Sequence, residues 1–249
     1  MILVSYSLYG KNRIYYDPIK ENYLRLNNHK ISDNSIKFIL FHDSSVDLSF
    51  FSDMNIIKFN TEKNDYFKNI VPTMWRFAAP KFHEADYYLF RDTDSLILDK
   101  EIEILEDWIT SDFYWSVIRD SRYHLYPILA GTFGVKKQKA DQLILILKSA
   151  KSSNKHFYDQ LFLAKYLYPK IVKNLIVYTS FLGFKNENIK KIKKTLTDFI
   201  GNYANSGPIP KSSLDSQFFL NQNLRIFIFL KFRTRFVLSF LKLISFLKK

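Results

Sequence analysis

Short apolar runs alternate with longer amphipathic stretches through the first 135 residues of this 249-residue chain. Short apolar runs between polar segments are typical of buried strands, whereas apolar residues at three- and four-residue spacing indicate helices. Strands joined by helical connections pair in parallel, because the crossover returns the chain to the same edge of the sheet. This order predicts an α/β domain with a mainly parallel, Rossmann-like sheet flanked by helices.

The strands predicted by this pattern are residues 2–7, 36–41, 56–59, 87–90 and 113–118, and the helices are 17–28 and 101–108. A helical stretch at 67–83 contains Pro72 and Pro80, so we expect it to be broken. Further helices are predicted at 140–149 and 159–168, and a strand at 175–178. The Ser-Gly-Pro-Ile-Pro loop at 206–210 predicts the end of a domain spanning 1–211, followed by a tail at 212–249.

The composition fits a folded chain, since 47% of the residues are apolar and 24% are charged. There is no cysteine, which excludes disulfides, thiolate zinc sites and a cysteine nucleophile. The net charge of +13 favours an anionic partner: nucleic acid, an acidic membrane surface or a phosphorylated substrate. Residues 1–7 lack the positive leading region of a secretory signal, and we expect them to form the first strand.

The segment most informative about chemistry is Arg91-Asp92-Thr93-Asp94-Ser95, which follows the predicted strand 87–90. Carboxylates two residues apart in an extended chain share one face, about 6.5 Å apart. Ligands of open α/β sheets bind beyond the carboxyl ends of the strands, and two carboxylates there suit Mn²⁺ or Mg²⁺ with a diphosphate. The alternatives are a solvated turn, which Asp and Ser favour, and the aspartyl nucleophile of a haloacid dehalogenase-type phosphatase. The phosphatase needs a later acidic pair, which this chain lacks.

Several segments, in the same order, resemble the GT-A sugar-nucleotide glycosyltransferases of bacterial surface-polysaccharide and lipopolysaccharide assembly. They cover about residues 1–205, and the R-D-x-D-S motif is the central one. The matching segments are 5–10, 74–77, 88–95, 117–120 with His124 and 127–131, 158–163, and 199–201, the last resembling a closing strand.

The resemblance implies a role for each matching residue, with Mn²⁺ or Mg²⁺ as the cofactor. Asp94 would ligate the metal, and Asp92 would contact the metal or the ribose. Asp159 would face the acceptor or the anomeric carbon, and Asp120 would act beside it as the second catalytic carboxylate. The residues implied to bind substrate are Ser5, Tyr6 and Ser7 around the base, Arg76 and Arg91 near the nucleotide, Arg119 with Asp120 on the donor sugar, and Gln160.

Most of these residues also have a structural interpretation. Asp159 starts a predicted helix, where an acid is favoured as a cap or first-turn residue. Arg119 and Asp120 could form a surface ion pair, Arg76 could lie over the core, and His124 could be a loop histidine. A third metal ligand would be His156, Asn202, or water together with the diphosphate.

The tail, residues 212–249, holds seven basic residues and one acidic residue, a net charge of +6, together with eight of the 24 Phe. Between residues 224 and 247 the longest charge-free run, 236–241, is far below the ~20 apolar residues that span a bilayer. This pattern predicts an amphipathic basic helix on anionic lipid, with a helix docked on the domain as the alternative. The tail contains no recognised nucleic-acid motif, so we expect no nucleic-acid partner.

Together these features predict a metal-dependent glycosyltransferase that moves a hexose from a UDP-sugar to a hydroxyl of a lipid-linked glycan or lipopolysaccharide. We expect it in the cytoplasm, attached peripherally to the inner face of the membrane, in lipopolysaccharide or capsule synthesis. The alternative is a non-catalytic basic protein that binds membrane or nucleic acid.

Overall fold

The computed structural model describes residues 1–27, 29–121, 124, 126–150, 157–181, 183–193 and 199–204. The loop predicted at 206–210, the domain boundary at 211, the tail at 212–249 and His156 lie outside the described residues.

Within the described residues, nine strands form the sheet: β1 Ile2–Leu8, β2 Lys30–Ile31, β3 Asn34–His42, β4 Ile56–Asn60, β5 Tyr87–Arg91, β6 Trp115–Arg119, β7 Thr132–Lys136, β8 Leu175–Thr179 and β9 Asn188–Lys191. The α-helices are α1 Asp17–Leu26, α2 Ala79–Phe82, α3 Asp99–Thr110, α4 Lys137–Leu147, α5 Tyr158–Phe162 and α6 Tyr168–Ile171, and a π-helical turn over Leu163–Leu167 joins the last two. Short 3₁₀ turns cover Arg13–Tyr15, Leu48–Phe51, Thr61–Lys63, Asp65–Phe67, Pro72–Ala78 and Val172–Asn174.

The sheet is mainly parallel, as predicted. Its central order is β3-β1-β5-β7-β6-β8-β9, and β4 pairs with β3 in parallel. Only β2 and β7 run against their neighbours in the described sheet. The sequence pattern did not predict β7, which lies between β5 and β6 and leaves those two strands running in the same direction.

Hydrophobic cores cover both faces of the sheet, and β1 contributes to both because side chains alternate along a strand. Leu3 packs into the core that also contains side chains of the Pro72–Ala78 turn, α4 and α5. Ile2, Val4, Tyr6 and Leu8 pack into the other core, with α1 and α3. All seven residues of β1 are buried, which explains why the strand reads as a nearly continuous apolar run.

The predicted break at 67–83 is confirmed. Pro72 starts the 3₁₀ turn Pro72–Ala78, and Pro80 lies in the first turn of α2, the positions where a missing N–H costs least. The 3₁₀ turn packs against β1, and hydrogen bonds between its backbone and side chains of β1 place Arg76 beside the sheet.

The closing strand expected at 199–201 is wrong. This segment forms a turn in which Gly201 has φ +85°, a left-handed conformation that favours glycine. Ile200 is nevertheless fully buried, and Tyr203 makes a single bridge to Ser95. The burial of Ile200 and the Tyr203–Ser95 bridge hold the segment to the sheet without the hydrogen-bond ladder of a strand.

Among the described residues, none of the helices combines the length and the apolar character that crossing a membrane requires.

Candidate functional site

The candidate site lies at the carboxyl end of β5, beside its parallel neighbour β1. Asp92 and Asp94 follow β5 directly. A Cβ on Gly131 would come within 1.9 Å of the Asp92 carboxylate, so the absence of a side chain at Gly131 leaves the space that Asp92 occupies. The loop before β7 and the end of β5 therefore pack closely enough to orient Asp92.

Arg76 connects the two carboxylates that the sequence assigned to different steps. Its side chain is 4% exposed; one terminal nitrogen lies 2.8 Å from Asp92 Oδ1 and the other 3.1 Å from Asp159 Oδ2. Its backbone carbonyl accepts a hydrogen bond from the Ser5 hydroxyl, and its N–H donates to the Ser7 hydroxyl, both at 2.8 Å. Arg76 is thus clamped to β1 and shared between Asp92 and Asp159, which rules out the interpretation that it only lies over the core.

The environment of Asp94 differs from those of Asp92 and Asp159, which both form ion pairs with Arg76. Burial, and then the negative charge of Asp92, raise the pKa of Asp94 to about 6. Among the described residues, no Lys, Arg or His forms an ion pair with its carboxylate. A partly buried carboxylate beside another one, without a paired cation, is an arrangement that a bound cation stabilises.

Asp159 lies in the first turn of α5 and is 8% exposed. Its Oδ1 accepts a hydrogen bond from the Gln160 backbone N–H at 2.9 Å. Asp159 therefore binds the first turn of the helix in addition to pairing with Arg76. Burial raises the pKa of Asp159, while the Arg76 cation opposes that shift. The site therefore contains one buried cation and three carboxylates, whose summed charge is negative when all are ionised.

The three predicted base-binding residues are divided between the two faces of the sheet. Ser5 and Ser7 face Arg76, and their hydroxyls bind its backbone. Tyr6 points into the opposite core, where its ring stacks on Phe38 and its hydroxyl accepts a hydrogen bond from the Asn22 amide at 3.0 Å. The Tyr6 side chain therefore does not face the Arg76 cluster.

Arg91 lies under the carboxylate loop. Its side chain is 1% exposed and pairs with Glu101 at 2.9 Å. It also donates to the Gly131 carbonyl at 3.0 Å and to the Ser95 hydroxyl at 3.1 Å. Arg91 thus shapes the turn that carries Asp92 and Asp94, and Glu101, which sequence analysis did not select, is its counter-ion.

Arg119 and Asp120 do not form the surface ion pair that was one interpretation, because both are buried. The Arg119 side chain pairs with Glu187, and both side chains are 0% exposed. Asp120 pairs with Lys100 and accepts the Ile200 N–H at 3.0 Å. Consecutive residues at a strand end point in different directions, so these two neighbours serve separate contacts.

His124 is a buried loop histidine that supports Asp120. Its Nδ1 accepts the Asp120 backbone N–H at 3.0 Å, which places the ring proton on Nε2 in the neutral form. Burial, with a contribution from Arg119, lowers the pKa of His124 to about 3. The His124 ring is therefore neutral in the folded protein at neutral pH.

We expect the stability to depend on pH through His124. Its pKa is lower in the folded state, so the stabilisation is fully present above the unfolded value of about 6.5. It is lost as pH falls toward about 3, at roughly 1.4 kcal/mol per pH unit. The measurement is urea unfolding at several pH values. His124→Asn keeps an acceptor and should show a flatter pH dependence, and His29→Asn on the surface supplies the control curve. Parallel curves for wild type and His124→Asn would contradict the assignment.

Three tyrosines that were not predicted lie near enough to the carboxylates to feel their charge: Tyr9 and Tyr126 beside Asp159, and Tyr203 beside Asp94. Tyr9 meets Trp75 edge-on with ring centroids 6.0 Å apart, and Tyr126 lies 6.3 Å from Phe157. Tyr203 is 64% exposed, and the next residue donates its N–H to the Asp94 carbonyl at 2.7 Å. With 16 Tyr and 24 Phe in the chain, the sequence offered no signal that distinguishes these rings from core aromatics.

The residues that could hold a metal are Asp92 and Asp94. Within the described part of the chain no group of three or more His, Asp or Glu side chains could hold a metal ion. Two carboxylates, one of them partly exposed at 44% and the other without a paired cation, fit a divalent ion whose remaining ligands come from substrate and water. Asn202 uses its side-chain oxygen to accept the Tyr203 N–H at 3.0 Å.

The fold is similar to those of solved glycosyltransferases. The galactosyltransferase LgtC, in complex with donor and acceptor sugar analogs, gives a TM-score of 0.50 at 12% identity, over 90% of this chain and 95% of that one. A glycosyltransferase involved in the glycosylation of the major capsid of PBCV-1 gives 0.48 at 17% identity, over 72% and 81%. Mannosyltransferase PcManGT from Pyrobaculum calidifontis, with GDP-Man and Mn²⁺, gives 0.48 at 8%, over 77% and 56%. No family model and no curated protein matches the sequence.

The likeness to LgtC, with the order and direction of the strands, defines the fold as a GT-A glycosyltransferase fold. The carboxylate site lies at the carboxyl ends of the parallel strands β1 and β5, the edge where open α/β sheets bind their ligands.

Proposed function

We propose that this chain is a glycosyltransferase that moves a hexose from a UDP-sugar to a hydroxyl of a lipid-linked glycan or lipopolysaccharide. The observation that carries the proposal is the Asp92–Arg76–Asp159 ion-pair chain next to Asp94, at the ligand-binding edge of a GT-A fold. A buried cluster of this kind costs stability, because charges are removed from water, so it is poorly explained by a solvated turn.

Asp92 and Asp94 would hold Mn²⁺ or Mg²⁺. When bound, the divalent ion would neutralise the diphosphate of the leaving nucleotide as a Lewis acid. Asp94 has no ion-pair partner among the described residues, so its carboxylate would bind the ion. Asp92 would at the same time keep its ion pair with Arg76. Gly131 and Arg91 would keep the loop in place, since they contact its side chains and its backbone turn.

Asp159 would supply the carboxylate of the transfer step. Glycosyl transfer passes through an oxocarbenium-like state, which a nearby carboxylate stabilises, and the acceptor hydroxyl loses a proton in the same step. Arg76 keeps Asp159 in place through the 3.1 Å ion pair, and burial raises the Asp159 pKa, which strengthens it as a base. We propose that Asp120 and Arg119, which are buried, support the donor-sugar side of the site through their ion pairs with Lys100 and Glu187, and that Gln160 follows Asp159 into the substrate region.

The tail at 212–249, outside the described residues, is proposed to attach the enzyme to the inner face of the cytoplasmic membrane. Its net charge of +6 and eight Phe support binding to anionic lipid. A lipid-borne acceptor would place the substrate at the same surface.

The test of the proposed function is UDP release from a set of UDP-hexoses, with and without Mn²⁺. We expect at least one donor to release UDP only when the divalent ion is present, because Asp92 and Asp94 alone leave the diphosphate charge unscreened. Release that persists in a chelator would contradict the proposed metal assistance, whereas no donor bound or turned over by the folded protein would support the non-catalytic alternative.

A further inference from the structure

The positive charge of the chain before residue 195 is concentrated in one stretch. Residues 1–147 hold 18 basic and 20 acidic residues, whereas residues 148–194 hold eleven lysines and two acids. Both acids of that stretch are withdrawn from solvent, since Asp159 is 8% exposed and the Glu187 side chain is 0% exposed. The charge that this stretch presents to solvent is therefore almost entirely positive.

Apart from Lys148 at the end of α4, the described lysines of this stretch lie on elements near the β8–β9 side of the sheet. α6 and the turn Val172–Asn174 lead into β8, which pairs with the edge strand β9. The Tyr168 hydroxyl donates to Glu187 at 2.8 Å, and the Asn188 amide donates to the Lys173 carbonyl at 3.4 Å. We call the resulting surface the lysine face; its exposed members are Lys165, Lys170, Lys173, Lys185, Lys191 and Lys193.

These six lysines are available to an external anion. Within the described residues, the lysines that form ion pairs are Lys68, Lys100, Lys137 and Lys190, and none of the six is among them. Repulsion among like charges on one face is unfavourable for the isolated domain. An anionic partner relieves that repulsion.

Apolar side chains stand among the lysines. Tyr166 is 38% exposed, Phe181 44% and Ile189 43%. On a membrane surface, lysines bind lipid phosphates while aromatic and aliphatic side chains beside them insert at the level of the headgroups. A nucleic-acid backbone would satisfy the lysines but would leave Ile189 exposed, so the combination favours a lipid surface.

We propose that the lysine face binds an anionic membrane surface independently of the C-terminal tail. The loop from β8 to β9 leaves the sheet at the edge where β5 delivers Asp92 and Asp94, because β5, β6 and β8 run in the same direction. The proposal does not depend on the chemistry proposed for the site.

The test is binding of the full-length chain to phosphatidylcholine vesicles with and without phosphatidylglycerol. K170Q/K173Q/K191Q/K193Q removes four charges from the face, and K30Q/K37Q/K58Q/K63Q removes four exposed charges near β2, β3 and β4. Each lysine close to an anionic surface strengthens binding severalfold, so we expect roughly a hundredfold or greater loss for the first variant. We expect a much smaller loss for the second. The charge-retaining K170R/K173R/K191R/K193R should bind as wild type does.

Other results would overturn the proposal. Equal losses in the two glutamine variants would show an effect of net charge alone, and a loss in the arginine variant would show a structural defect. Unchanged vesicle binding with weakened binding to single-stranded RNA would assign the face to nucleic acid. If R225Q/R233Q/R235Q in the tail abolished vesicle binding by itself, the lysine face would not act independently.

Discussion

Asp94→Asn is expected to lower glycosyl transfer by roughly a thousandfold or more, because losing the divalent ion removes several kcal/mol of charge stabilisation. The substitution keeps the size of the side chain and removes one of the two negative charges beside each other after β5. Among the described residues Asp94 is the member of that pair without an ion-pair partner, so its charge is the one left for a metal. Affinity for Mn²⁺ and for the UDP-sugar should fall together, because ion and diphosphate bind as a unit.

The measurement is a Mn²⁺ dependence of UDP release together with calorimetric donor binding. Asp33→Asn is the matched control: Asp33 is exposed and has φ 62°, a conformation that Asn also accepts. The fold of Asp94→Asn should be retained, since the substitution keeps the side-chain size and relieves the repulsion between Asp94 and Asp92. A variant with the wild-type response to Mn²⁺ would remove the central argument for a metal-assisted enzyme.

Asp159→Asn is expected to lower kcat by about a hundred- to ten-thousandfold, the range for loss of a positioned acid–base carboxylate. Donor affinity should hardly change, because the interaction is realised in the transition state. Arg76 would keep Asp92 as its partner at 2.8 Å, which limits the cost of removing one charge from the buried cluster.

Steady-state kinetics and a melting curve separate the two roles that the structure gives Asp159. Asp141→Asn, at an exposed position of α4, controls for a lost helix charge. A melting temperature several degrees lower with nearly normal kcat would show that the contribution of Asp159 is structural, through its ion pair with Arg76 and its hydrogen bond to the Gln160 N–H.

The sheet was predictable because the signal for it is local. The apolar runs that became β1, β3, β4, β5, β6 and β8 were all predicted, with bounds within a few residues of those observed. The proline positions likewise predicted the break between the 3₁₀ turn and α2, since a missing N–H acts on the backbone regardless of the rest of the fold. The carboxylates at the end of β5 follow from the same local reasoning.

The division of Ser5, Tyr6 and Ser7 between two faces was also contained in the sequence. Alternation along a strand requires Tyr6 to point away from its neighbours, and the structure places its hydroxyl 3.0 Å from the Asn22 amide. The prediction that the three residues form one base-binding group was based on the resemblance and did not take account of the alternation of side chains along a strand.

The pairing of the charges was decided by tertiary structure alone. Arg76 binds Asp92 and Asp159, which are 16 and 83 residues away in sequence, and Arg119 binds Glu187, 68 residues away. In the same way β7 acquired its antiparallel direction from β5 and β6, and the segment at 199–201 became a turn held by Asp120. Sequence patterns report which residues prefer burial or a given backbone conformation, and they determined the α/β sheet and the Asp92–Asp94 loop. Which charge neutralises which depends on distances between elements far apart in the chain, and only the packed fold sets those distances.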